Sequence, residues 1–173
     1  GLQFLIAKSQ EIFGRNIYSA YLPTTAAALL MLFITYKLHE ELFNKKYAII
    51  SPLILSTTYL WFDYSHLATQ DIIYSCLVTI GVFSLVKIKS KENKFYILLF
   101  GIWIGLSFMM KTFLVFVPLL SLQPYLYTKK KLLFSKFFLI GLLIGFIPYV
   151  LWTLSIDPYL EKNIIFYLLE KFN

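Results

Sequence analysis

Long apolar runs, broken at intervals by lysine clusters, constrain this chain more than any other feature. The runs fall at residues 17–36, 47–62, 72–86, 95–110, 113–127 and 132–154. Most approach the roughly 20 residues that a helix needs to cross a bilayer hydrocarbon core. Between them stand Lys37, Lys45 and Lys46, then Lys87, Lys89, Lys91 and Lys94, then Lys129, Lys130, Lys131 and Lys136. Lysine next to a spanning helix marks the cytoplasmic side of a membrane. With alternating crossings, all three clusters fall on that one side. The opposite side receives residues 1–16, the Asp63–Asp71 loop, Lys111-Thr112 and residues 155–173.

Composition agrees with a polytopic all-α transmembrane helical bundle. The chain is 59% hydrophobic and has a mean hydropathy of +0.72, against roughly 45–50% apolar for a soluble domain. A transmembrane β-barrel would show alternating segments of about ten residues, a pattern this sequence lacks. The net charge of +7 does not signal nucleic acid, because the basic residues cap apolar runs. Cys76 is the single cysteine and sits inside a run, so it reads as packing. The chain opens on Gly1 and shows no signal peptide. We expect one transmembrane domain over 1–173, a fragment of a longer protein.

Residues 1–16 alternate apolar and polar positions at helical spacing, as in a short amphipathic helix lying in the interface. Gly14 should end it. Pro23 falls in the opening turns of the first span, where a missing N–H is tolerated. Gly101/Gly105 and Gly141/Gly145 have the GxxxG spacing that permits close helix contact. Residues 155–173 read as an extracytoplasmic amphipathic segment.

The stretch Asp63-Tyr64-Ser65-His66-Leu67-Ala68-Thr69-Gln70-Asp71 gathers two carboxylates, an imidazole and several hydroxyls without a Lys or Arg. Asp71 opens the third span. A carboxylate there gains about 0.3–1 kcal/mol from the helix dipole, so an N-cap at Thr69 or Asp71 is one reading. A carboxylate facing a polar cavity is the other, since ionisable groups near membrane depth are costly and functional. His66 reads as a solvated loop residue, or as a proton carrier, phosphate contact or metal ligand. Lys111 stands between two apolar runs on the lysine-poor side. It either snorkels to the interface or offers a cation to an anionic headgroup. Arg15 is an interfacial residue or a second phosphate contact. The aromatic residues read as lipid-facing packing and interfacial belts.

Four pieces, in this order, resemble the N-terminal membrane half of the protein-mannosyltransferase/aminoarabinose-transferase superfamily of GT-C glycosyltransferases. They are Tyr21-Leu22-Pro23-Thr24, the Pro-containing span at Ala48–Tyr59, the His66-to-Asp71 opening and the Gly105-to-Thr112 element. Tyr21 replaces a common basic residue, and Thr112 stands where glycine is usual. The resemblance implies an inverting membrane transferase. It would move a sugar from a polyprenyl phosphate to a protein, lipid or glycan acceptor at the extracytoplasmic face of the cell membrane. It also implies a catalytic Asp in a loop preceding this chain, with Asp71 in a supporting catalytic role. Lys111, His66 and Arg15 would contact substrate, and a divalent metal ion could assist. Such chemistry needs a base for the acceptor and a cation for the departing phosphate. Residue patterns alone also fit a transporter or flippase with Pro/Gly-interrupted helices, and a non-catalytic membrane scaffold.

Overall fold

The computed structural model describes residues 2–88, 93–129 and 135–155. The described residues are helical, with no strand among them. The chain opens with α1 (Leu2–Phe13). Gly14 turns the backbone at φ +85°, a conformation glycine adopts without penalty. Asn16 then caps α2 (Ile17–Leu42), its side chain accepting from Ser19 N at 2.7 Å while Ser19 Oγ accepts from Asn16 N at 3.3 Å. This reciprocal cap satisfies two otherwise orphaned donors.

After α2 a 3-10 turn at Lys45–Tyr47 leads to α3 (Ile50–Thr57) and α4 (Tyr59–Ser65). The long helices α5 (Gln70–Lys87) and α6 (Lys94–Lys111) follow. A 3-10 turn at Thr112–Val115 precedes α7 (Phe116–Ser121) and α8 (Gln123–Thr128), and α9 is Lys136–Ser155. Among the described residues three helices, α2, α5 and α6, are long and apolar enough to cross a membrane. Much of α2 faces outward, with Leu29 63% and Phe33 59% exposed, as a lipid-facing helix requires.

Two stretches read as single spans are each divided. The run at 47–62 breaks at Thr58, whose ψ of 125° is extended. Three consecutive hydroxyls explain the break. Ser56 Oγ donates to Leu53 O at 2.8 Å, Thr57 Oγ1 to Ile54 O at 2.9 Å and Thr58 Oγ1 to Ile54 O at 3.0 Å. Side chains that bond back to the preceding turn compete with the backbone ladder and bend helices. The run at 113–127 divides because Pro118 and Pro124 cannot donate to the carbonyls of Leu114 and Leu120. A hydroxyl from α5 supplies a donor to the first, Tyr74 OH reaching Leu114 O at 2.7 Å. Both divided stretches still run from one end of the bundle to the other. The first basic loop also begins later than its sequence suggests, since α2 continues through Lys37 to Leu42. The segment 155–173, from residue 156 on, and Lys89, Lys91, Lys130 and Lys131 lie outside the described residues.

The most extensive packing joins α6 to α9, followed by α5 with α2 and with α6. The two GxxxG pairs meet each other. A Cβ at Gly105 would lie 2.5 Å from the backbone of Gly145, and one at Gly141 would lie 2.2 Å from Leu98 O. The pairing of Leu98 with Gly141 and of Ile102 with Gly145 makes α6 and α9 parallel. Gly81 in α5 admits the Trp103 ring, since a Cβ there would sit 2.2 Å from Trp103 Cδ2. Trp103, Phe100, Ile97, Leu85 and Ile88 form the buried core, and Leu119, Leu122 and Leu126 pack on it.

The two ends of the bundle differ in charge. At one end Lys87 pairs with Glu41, Lys37 with Glu40 at 2.9 Å, and Lys45 approaches Glu40 at 3.8 Å. Lys129 donates to the terminal carbonyls of α5, at Leu85 and Ile88, and lies over the Tyr125 ring. The opposite end holds the start of α5 and the finish of α6.

Candidate functional site at the lysine-poor end

Asp71 is the second residue of α5, and Lys111 is the last of α6. Helices α5 and α6 are antiparallel neighbours, so these positions meet. Lys111 Nζ lies 2.6 Å from Asp71 Oδ1. The side chain of Lys111 is 26% exposed and that of Asp71 54% exposed. Thr69 precedes α5 but makes no capping hydrogen bond. Asp71 therefore serves the helix through charge and turns its carboxylate toward Lys111. Exposed ion pairs of this kind contribute about 0–1 kcal/mol to stability. Fold stability alone does not account for placing two charges here in so apolar a chain.

A cavity of about 470 Å³ adjoins the pair. Thr58, Trp61 and Tyr64 come to it from the divided stretch, and Asp71 and Ser75 from one face of α5. Residues four apart on a helix share a face, so Ser75 follows from Asp71 by spacing. The break at Thr58 is what brings the short helix α4 across the start of α5. Trp61 Nε1 is buried without a hydrogen-bond partner.

His66 ends α4 elsewhere. Its Nδ1 lies 2.9 Å from Phe62 O, and its ring meets Phe62 edge-on at 5.7 Å. It lines a second, more apolar cavity with Tyr18, Tyr21, Leu22, Thr25 and Leu29. Arg15 is exposed in the turn between α1 and α2. The structure thus joins Asp71 to Lys111, and the described contacts bring neither His66 nor Arg15 to that pair. Sequence reasoning passed over Trp61, Tyr64 and Ser75 as site residues. The i+4 spacing from Asp71 was available for Ser75, and the aromatic residues at the end of the second run, Trp61 and Phe62, for Trp61.

A divalent ion can be tested against these residues. Among the described residues no three His, Cys, Asp or Glu side chains converge, and Asp71 stands against an ammonium. This donor set does not fit a metal held by the described residues alone.

The arrangement is that of an integral membrane helical protein whose Asp71–Lys111 pair stands at one end, beside a cavity walled by aliphatic side chains as well as aromatic rings and hydroxyls. Residues 1–152 match the model of the dolichyl-phosphate-mannose-protein mannosyltransferase family, and the chain belongs to that family. It is a glycosyltransferase of the GT-C type. No curated protein and no solved structure matches it.

Proposed function

We propose that this chain is the membrane part of an inverting transferase whose donor is a sugar carried on a polyprenyl phosphate. The acceptor is a hydroxyl of a protein, lipid or glycan, and the reaction runs at the membrane face opposite the lysine-rich loops. The observation that carries this reading is the Asp71–Lys111 pair, 2.6 Å apart at the lysine-poor end. In the reaction the acceptor oxygen attacks the anomeric carbon. The carbon–oxygen bond to phosphate breaks, and polyprenyl phosphate leaves with the electron pair. The acceptor proton passes to a general base.

Lys111 carries three donors, of which Asp71 uses one, so the ammonium can also meet the phosphate oxygens as their charge grows. A fixed cation aimed at developing negative charge is worth more in the transition state than in the ground state. Asp71 holds the ammonium in place and supports the site. Lys111 is thus a substrate-binding residue and Asp71 a positioning one.

The test is transfer from a lipid-linked sugar by the full-length protein, at matched expression. Asp71→Asn and Lys111→Ala should each lower the rate on the order of a hundred-fold. The double variant should be little worse than either single one, because the two act as a unit. Near-wild-type transfer by both single variants would remove the pair from the site.

A further inference from the structure

The cavity beside the ion pair and the pair itself are chemically unlike. Lys111 is not among the residues lining the cavity, whereas Asp71 is. A phosphate placed in the cavity would face a carboxylate and no cation. A neutral ligand with hydroxyl groups would not. Asp71 Oδ1 accepts from Lys111, which leaves Oδ2 to accept from a ligand hydroxyl. Ser75 and Tyr64 add hydroxyls that both donate and accept. Trp61 and Tyr64 add aromatic faces, against which the C–H face of a pyranose packs.

The volume, about 470 Å³, lies within the roughly 300–1,000 Å³ of small-molecule sites.

We propose that this cavity, with Trp61, Tyr64, Asp71 and Ser75 set in an otherwise largely apolar wall, binds a neutral sugar ring, while the charged phosphate stays outside it at Lys111. The ring comes either from the donor or from a glycan acceptor, whose chemistry is shared. The inference rests on the glycosyl-transfer reading above but not on its lipid donor. Its origin lies in the Ser56-Thr57-Thr58 break, which sets Trp61 and Tyr64 opposite Asp71 and Ser75.

The experiment measures equilibrium binding to the full-length protein in lipid nanodiscs. Three probes are used: mannosyl polyprenyl phosphate, the same polyprenyl phosphate without sugar, and methyl mannoside. The variants are Trp61→Leu, which removes the ring, and Ser75→Ala, which removes one hydroxyl with little risk to folding. Each should weaken the glycosylated lipid or the methyl mannoside roughly ten-fold and leave the sugar-free lipid unchanged. Weakening of the glycosylated lipid assigns the ring to the donor. Weakening of methyl mannoside alone, together with a raised KM for a glycan acceptor, assigns it to the acceptor. Unchanged binding of both sugar probes by Ser75→Ala and Trp61→Leu overturns the proposal. Equal weakening of sugar-free and glycosylated lipid does so too. If the wild-type protein binds methyl mannoside through Trp61 and Ser75 but neither lipid, the donor reading fails and the sugar cavity stands.

Discussion

In the proposed reaction the chemistry turns on Lys111, and its neighbour changes its meaning. Alone, an ammonium between two apolar runs invites an anion. Bound to Asp71 at 2.6 Å, it has one of its three donors engaged, and the proposed site would have no bare cation to desolvate on donor binding. The geometry predicts an asymmetry between substitutions. Lys111→Arg keeps charge but replaces a compact ammonium with a planar fork. It should retain more donor affinity than Lys111→Ala while still losing rate, as seen by comparing Kd for polyprenyl phosphate with kcat for transfer. Equal loss of both quantities in the two variants would mean that charge is irrelevant at this position. Of the four residues singled out from sequence, Asp71 and Lys111 were legible because a charge in an apolar run is conspicuous. Their pairing was not, because it depends on α5 and α6 being antiparallel neighbours across 40 residues of chain. His66 was conspicuous for the same compositional reason, yet it turns to the carbonyl of Phe62.

At the scale of elements, hydropathy located the helices and small polar or cyclic residues decided their continuity. The runs at 17–36, 72–86 and 95–110 each became one helix. The runs at 47–62 and 113–127 did not. Apolar content cannot distinguish these cases, because the difference lies in which carbonyls lose their amide partners. The signals were present as Ser56-Thr57-Thr58 and as Pro118 with Pro124. Replacing Ser56, Thr57 and Thr58 together by alanine should join α3 to α4, since alanine favours helix and cannot bond back. Thermal stability should hold or rise, while transfer falls on the order of a hundred-fold as Trp61 and Tyr64 leave the cavity. Wild-type activity in that variant would show that the break plays no part in the site. The contact between α6 and α9 is as specific. Gly105→Leu puts a side chain where even a Cβ meets Gly145 at 2.5 Å. Overpacking of that kind costs about 1–3 kcal/mol, which a lowered unfolding midpoint in detergent would reveal. An unchanged midpoint would mean that the helices separate without cost.

At the scale of the whole molecule, the described residues are polarised. One end holds Lys37, Lys45, Lys87 and Lys129 with Glu40 and Glu41, and the other holds Asp71 and Lys111. The alternation of lysine clusters along the sequence anticipated that division, because spanning segments return the chain to the same side at every second crossing. The same rule predicts an orientation in the cell that can be measured. Cys76 is buried at 4% exposure, so an added surface thiol will dominate labelling. A membrane-impermeant maleimide should modify Leu67→Cys in intact cells, and Lys45→Cys only after permeabilisation. The reverse pattern would put the site on the cytoplasmic face and sink the proposed direction of transfer.

The stretch from Thr112 to Lys129 is buckled to α5 at both ends, by Tyr74 on Leu114 and by Lys129 on Leu85 and Ile88. Sliding along that helix would break both fastenings, whereas bowing between them breaks neither, and a hinge lies ready where α7 gives way to α8 before Pro124. The least costly rearrangement of this stretch therefore changes the width of the bundle.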